Sequence, residues 1–301
     1  MSIPSRALLV CLFALAVAAF MPSDADAQSG TVFDEYEDQT LMTYSEIPGQ
    51  PGCVEIVHAS CSDRYAYDLT INGTVFHDGI MYQVVSIGSE AFRGSEWLEN
   101  LVVPSSVTGI GDRAFYGCTR LSQVSFSGTL SSVGDYVFTG TKVTSFTVNQ
   151  DMVSEGPVML GLCIGAVEVS QDMVPAEGLR VEFSGLPQGS TPQLDDKLGF
   201  ATVYRVSAQG WDGALSVQVP AEFAPIGYRG CDIYVIQKGL GEMDLVAFED
   251  DGSMLSFGMS ASSEAFCITP KVWDALEDSP VLAIAIAVIG TVLVLIFLRR
   301  E

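Results

Sequence analysis

The chain has 301 residues, of which 37 are acidic and 14 are basic, so its formal net charge at pH 7 is −23. This balance disfavours nucleic acid as a partner, because lysine and arginine hold a phosphate backbone. It favours an exposed, well-solvated surface instead, and the length suffices for two modest domains.

The first residues have the pattern of a secretory signal peptide. Arg6 precedes an apolar run over residues 7–21, and the small residues Ala25 and Ala27 follow it. The run is shorter than the roughly 20 residues that a bilayer requires, which favours cleavage over a retained anchor. We therefore expect residues 1–27 to be removed and the mature chain to lie in an oxidising space.

Two segments precede the main repeat. Residues 28–52 are acidic and turn-prone, with FDEYED followed by IPGQPG, and are predicted to form an exposed linker. Residues 53–83 alternate apolar and polar side chains around Asn72 and Gly73, a common hairpin turn, and predict a β-hairpin cap for the repeats. Asn72 also begins a glycosylation sequon, and the turn is the alternative explanation for this asparagine.

Residues 84–150 repeat with a fixed period. Phe92, Phe115 and Phe138 are equally spaced, since 115 − 92 and 138 − 115 are both 23. Such a period predicts a solenoid of three coils, because each unit is too small to bury its own apolar face. The phenylalanines are expected to stack in a column.

Two sets of glycines recur with the same spacing as the phenylalanines. The first set is expected to permit chain reversal at the coil corners: Gly88, Gly111 and Gly134. A second set is expected to end a short helical turn: Gly94, Gly117 and Gly140.

An alternating segment follows each corner and predicts one strand of a small parallel sheet per coil. Inward-pointing side chains are expected at Leu101, Val103, Val124, Phe126, Phe146 and Val148. Outward-pointing side chains, which are the candidate partner-binding residues, are expected at Asn100, Val102, Gln123, Ser125, Ser145 and Thr147. The alternative is that this outer face is solvated and idle.

The string VTGIGDRAFYGCTRLSQVSF resembles the BspA-type leucine-rich repeat, in which a hydrophobic residue and IG are followed by AF, GC, a leucine and a β segment. The resemblance covers about residues 80–150. The third unit departs from it, with Val137 in place of alanine and one residue fewer between Phe138 and Val143. Members are typically microbial surface proteins that contact host matrix, other cells or polymers. The resemblance therefore implies an adhesin-like role with an extracellular protein or glycan as partner.

Residues 151–270 are predicted to form a β-sandwich-like domain, because short alternating segments such as FATVYRVSAQG and ALSVQVPAEF are separated by turn residues. This region loosely resembles the β-rich modules that precede membrane anchors in bacterial and archaeal surface proteins. The acidic stretch 249–252 predicts a hairpin turn, because it lacks the alternating ligands of a calcium loop.

The C-terminal residues predict a single membrane span. After a juxtamembrane linker at 271–280, residues 281–298 carry no charge and reach roughly 27 Å as a helix, close to the hydrocarbon thickness. Arg299 and Arg300 follow at once, so the positive-inside rule places the tail 299–301 in the cytoplasm. We expect a single-pass plasma-membrane protein with its N-terminal ectodomain outside the cell.

Six cysteines remain after removal of the signal peptide, which permits disulfides in an oxidising space. Cys53 and Cys61 are the favoured pair, because the intervening VEIVHAS is interpreted as a strand and turn whose ends meet. Cys231 and Cys267 are a second candidate pair. Cys118 is predicted to be a buried free thiol.

No catalytic constellation is recognisable. His58 and His77 lie near no nucleophile motif, no phosphate-binding glycine loop occurs, and no close cysteine pair has zinc-ligand spacing. We predict a non-enzymatic protein with no cofactor and no metal. The favoured function is adhesin-like binding at the cell surface. The alternatives are a structural cell-envelope component without a specific ligand and a carbohydrate-active enzyme with a repeat appendage.

Overall fold

A computed structural model describes residues 31–37, 40–62, 67–186, 201–223, 231–239 and 242–270. The predicted signal peptide, juxtamembrane linker, membrane span and cytoplasmic tail lie outside these residues. Within the described ranges, no helix is both long and apolar enough to cross a membrane.

The described residues are mainly β, with two short 3₁₀ helices at Asp151–Val153 and Gln171–Met173. The first eleven strands are β1 Val32–Glu37, β2 Thr40–Glu46, β3 Cys53–Cys61, β4 Tyr67–Thr70, β5 Thr74–His77, β6 Ile80–Ile87, β7 Leu98–Val103, β8 Gly109–Ile110, β9 Gln123–Phe126, β10 Ser132–Val133 and β11 Ser145–Val148. The next ten are β12 Val158–Leu162, β13 Gly165–Val169, β14 Leu179–Gly185, β15 Val203–Ala208, β16 Leu215–Pro220, β17 Cys231–Gln237, β18 Met243–Val246, β19 Phe248–Asp250, β20 Met254–Met259 and β21 Ser263–Pro270.

The repeat forms stacked coils, as the period predicts. One row of strands runs β1-β2-β3-β6-β8-β10, with β5 paired to β6, and a second, parallel row runs β4-β7-β9. Phe92, Phe115 and Phe138 are fully buried between the rows, with successive ring centroids 5.1 and 5.5 Å apart. The predicted phenylalanine column is confirmed.

The prediction of an exposed linker over residues 28–52 is wrong for the part that forms β1 and β2. Phe33, Met42 and Tyr44 on these strands are almost completely buried. These buried side chains alternate with more exposed ones, which include Asp34 and Thr43, so the acidic composition concealed a half-buried hairpin.

The predicted hairpin turn is also displaced along the chain. β4 pairs in parallel with β7, whereas β5 pairs with β6 across Asp78 and Gly79. Both of these residues have positive φ, at 47° and 83°, as a two-residue hairpin turn of this class requires. At Asn72 the chain passes from one strand row to the other, and the side chain is exposed.

The corner glycines act differently from the prediction. Chain reversal uses positive φ at Glu90, Arg113 and Tyr136, and the turns end at the positive-φ set Gly94, Gly117 and Gly140, as expected. Gly111 instead allows close stacking, because a Cβ at this position would lie 2.5 Å from the backbone nitrogen of Ser89 in the preceding coil.

Beyond the repeat, two antiparallel sheets follow the orders β11-β14-β15-β21-β17-β18 and β12-β13-β16-β20-β19. Phe257 and Phe266 join them, with ring centroids 4.9 Å apart. Within the second sheet, β19 and β20 form a hairpin in which Asp251 accepts the backbone N–H of Ser253 at 2.8 Å, so the predicted turn at 249–252 is confirmed.

The repeat and the later sheets share one hydrophobic core. Phe138 of the third coil contacts Phe146 at 5.6 Å, and one continuous cluster of buried side chains includes both parts. The N–H of Tyr136 donates to the carbonyl of Met159 at 2.8 Å, so β12 occupies the place of a further coil. The predicted boundary at residue 150 therefore does not divide the core.

Both proposed disulfides are wrong, since neither forms among the six described cysteines. Cys53 and Cys61 begin and end one nine-residue strand, which places them about 26 Å apart, far beyond the roughly 7 Å that a disulfide spans between Cα atoms. Cys231 lies opposite Pro270, and Cys267 lies opposite Tyr234, so these two thiols are offset by three residues along neighbouring strands.

Cys118 is a buried free thiol, as predicted. Its side chain is fully buried, and the Sγ–H group donates to the Phe92 carbonyl at 2.9 Å. Burial raises the pKa of this thiol to about 12.

Candidate functional site

Four of the six candidate binding residues form a continuous exposed face. Asn100 on β7 lies beside Gln123 on β9, and Val102 lies beside Ser125. The amide of Asn100 donates to the Asp68 carboxylate at 2.6 Å, which extends the polar face to β4. These side chains point outward because successive residues of a strand alternate between faces.

The other two candidates lie on a strand that has left this sheet. Ser145 and Thr147 belong to β11, which pairs with β14 and not with β9. Arg180 lies opposite Thr147, and its guanidinium donates to the Ser145 hydroxyl at 3.0 Å and to Glu182 at 2.9 Å. The structure thus places these two residues across a gap from the other four.

The gap between β9 and β11 is a groove of about 440 Å³. Its residues are Val124, Phe126, Gly128, Thr129, Leu130, Ser145, Phe146, Thr147, Asn149, Met152, Ala176, Glu177, Gly178 and Arg180. The apolar members form its inner surface, where the rings of Phe126 and Phe146 meet edge to face at 5.9 Å. The volume lies within the range of ligand-binding clefts.

The sequence did not reveal this groove. Val124, Phe126 and Phe146 were expected to be buried, and the parting of the strands leaves all three partly exposed. Leu101, Val103 and Val148 are buried as predicted. The one available signal was the shortened third unit, which marks the coil whose strand pairs elsewhere.

The groove wall on β9 is the edge of a sheet, and this edge pairs with no other described strand. The N–H of Ser127 donates to the Val103 carbonyl at 2.9 Å, and this bond sets the direction of the backbone groups along the parallel pair β7 and β9. Because successive backbone groups of a strand point to opposite sides, those of Gln123 and Ser125 face β7. The N–H and C=O groups of Val124 and Phe126 therefore point into the groove.

On the opposite wall of the groove, the backbone groups of β11 alternate in the same way. The N–H of Phe183 on β14 donates to the Thr144 carbonyl at 2.8 Å, so Phe146 and Val148 also direct their backbone groups to β14. The backbone groups of Ser145 and Thr147 point toward β9. Among the described residues, β9 and β11 each form the end of a sheet and do not pair with each other.

A second concavity, of about 680 Å³, lies at the coil corners and is acidic. Asp112 accepts the N–H of Asp135 at 2.9 Å, and Asp135 accepts the N–H of Met159 at 2.8 Å. These carboxylates bind the backbone of the next coil and thereby stabilise the stack. In the part of the chain that the structure describes, no group of three acidic, histidine or cysteine side chains could hold a metal ion.

Comparison with known proteins agrees with the stacked coils. Residues 80–164 match the model of the BspA type leucine rich repeat region in six copies. This segment is a BspA-type leucine-rich repeat region. The match continues past residue 150 and ends beyond β12, which agrees with the position of that strand as a further coil.

Several solved structures resemble part of the chain. A leucine-rich repeat protein from Bacteroides capillosus is 25% identical over 35% of this chain and 74% of its own, with a TM-score of 0.30. A leucine-rich repeat protein from Bacteroides ovatus is 26% identical over 40% and 30%, with a TM-score of 0.32. A leucine rich cell surface protein from Faecalibacterium prausnitzii is 23% identical over 36% and 28%, with a TM-score of 0.30. The chain thus spans less than a third of the last two proteins. No match was found among curated proteins.

Proposed function

We propose that this protein is displayed at the cell surface and binds an extracellular protein or glycan in an adhesin-like manner. The BspA-type region suggests the surface role. The observation that carries the binding role is the polar outer face of β7, β9 and β11, which is interrupted by a groove with an aromatic inner surface.

The proposal includes a cleaved signal peptide and a C-terminal anchor. The uncharged residues 281–298 followed by two arginines support a single span, with the residues before it outside the cell. The two antiparallel sheets would then separate the repeat from the membrane as a sandwich-like module.

The test compares lysine substitutions on and off the face in the full-length protein displayed on cells. Gln123→Lys and Ser125→Lys introduce bulk and charge at exposed positions of β9, whereas Ser216→Lys is the matched change at an exposed position of β16. Adhesion to immobilised matrix proteins and glycans is the readout. We expect the β9 variants to lose most of their adhesion and Ser216→Lys to keep it.

The alternative is a structural envelope component. If all three variants keep their adhesion, or if the natural chain adheres to nothing while envelope assembly fails in the β9 variants, the face does not serve binding and the structural role is supported.

A further inference from the structure

We infer that the groove between β9 and β11 binds an extended peptide segment, which adds its backbone to the unpaired strand edges. This inference deepens the proposed function, since it selects polypeptide over glycan as the ligand of the same face. It rests on the direction of the backbone groups, on the apolar inner surface and on the charge of the chain.

The backbone groups in the groove repeat with the spacing of a strand. Val124 and Phe126 on one wall, and Ser145 and Thr147 on the other, each present an N–H and a C=O group at every second residue. That interval is about 6.6 Å, which is the interval between the outward backbone groups of an extended peptide. Unpaired edges of this kind are templates for an added strand.

The two edges have compatible registers. The third unit is one residue short, so Phe146 is the counterpart of Val124, 22 residues later. The backbone N–H and C=O groups of Val124 therefore fall between those of Ser145 and Thr147. A regular coil would pair these strands directly. Here β14 pairs with β11 on its other side, and both facing edges are left without a partner among the described residues.

The inner surface of the groove also favours a peptide with apolar side chains at alternate positions. Phe126 and Phe146 are partly exposed on its inner surface, and Leu130 and Met152 lie almost buried beside them. An extended peptide directs alternate side chains to one face, so it would place apolar residues against this surface and polar residues toward solvent.

The charge of the chain further restricts which peptides can bind in the groove. The chain carries a net charge of −23, and the cation that lines the groove, Arg180, is already paired with Glu182. Acidic peptides are therefore repelled, and a neutral or basic peptide is favoured.

The test uses the full-length chain and a library of heptapeptides with apolar residues at alternate positions and lysine at both ends. A second library with the same composition in a helical pattern is the control. We expect binders from the first library. In those binders, N-methylation of alternate backbone amides should weaken binding about tenfold when the methylated amides face a strand edge, and less than about twofold when the other amides are methylated.

A pair of substitutions tests the protein side. Thr147→Pro removes an N–H group that points into the groove and takes no part in the pairing with β14. Thr147→Val keeps this N–H group and removes the hydroxyl. We expect the proline variant to lose about tenfold in peptide affinity and the valine variant to change less than about twofold, with both melting like the natural chain.

The outcomes separate this inference from the proposed function. Equal losses in the two variants, or no difference between the two methylation patterns, would show that backbone pairing is not used. If the alternating library yields no binders while a glycan panel binds through the same face, the groove is a glycan site and the proposed function stands. If neither peptides nor glycans bind, both proposals fail. Should Thr147→Pro misfold, the N-methylated peptides still decide.

Discussion

Single residues determine how closely the coils stack. Gly111 has an ordinary φ, yet a methyl group at this position would meet the backbone of Ser89. The periodicity identified the position correctly, but its reason is contact between coils and not chain reversal. A sequence pattern shows that a glycine recurs, whereas the cause depends on which backbone lies opposite.

Gly111→Ala should destabilise the protein by about 1–3 kcal/mol, because overpacking forces the coils apart. Gly258→Ala is the matched control, since a Cβ there meets nothing within 4 Å. Urea denaturation of both variants measures the effect. Similar stabilities for the two variants would mean that the close stacking at Gly111 is not needed.

The buried thiol of Cys118 should make stability fall at alkaline pH. Burial raises its pKa from 9.0 to about 12, so the neutral thiol is favoured in the folded chain. This contribution is complete below about pH 9 and is lost as the pH rises through about 12. We expect the unfolding free energy to decrease less steeply over that window in Cys118→Ser, as measured by urea denaturation at a series of pH values. Identical slopes would contradict this assignment.

At the scale of the elements, the phenylalanine column holds the coils together, and the position of one strand determines where the groove opens. Phe115 lies between Phe92 and Phe138 with ring contacts on both sides. The column was predictable, because equal spacing along the chain becomes stacking in space. The groove was not, because it depends on the position that β11 takes in a sheet with β14, which is distant in sequence.

Phe115→Ala should cost about 3–5 kcal/mol, since it removes a ring from the centre of the column and leaves a cavity. Phe76→Ala is the comparison, because that ring is 65% exposed and its loss should change stability by less than about 0.5 kcal/mol. Thermal and urea unfolding would check both values. A cost below about 1 kcal/mol for Phe115→Ala would show that the column is not central to stability.

At the scale of the whole molecule, the repeat and the later sheets share one hydrophobic core. Besides the shared core, the Tyr116 hydroxyl donates to Glu222, and the Tyr116 ring lies 5.4 Å from that of Phe223. Composition and turn signals predicted two domains because the sequence period stops near residue 150. The continuity comes from contacts between distant residues, such as those of β12 with the third coil.

A fragment ending at residue 150 should therefore fail to fold, because β11 would lose β14 and the third coil would expose its apolar face. Residues 28–270 should unfold in one cooperative transition. Circular dichroism with urea denaturation of both fragments is the measurement. A stable, cooperatively folded short fragment would restore the boundary predicted from the sequence.

The separation of β9 and β11 on the candidate binding face can be tested directly by residue-resolved amide hydrogen exchange. From the alternation along each strand, the amides of Val124, Phe126, Ser145 and Thr147 are directed into the groove, whereas those of Ser125 and Phe146 are directed to the paired strands β7 and β14. We expect fast exchange for the first four and slow exchange for the other two, since hydrogen-bonded amides are protected. Equal protection of all six would show that β9 and β11 are paired, and it would contradict the groove on which the proposed binding depends.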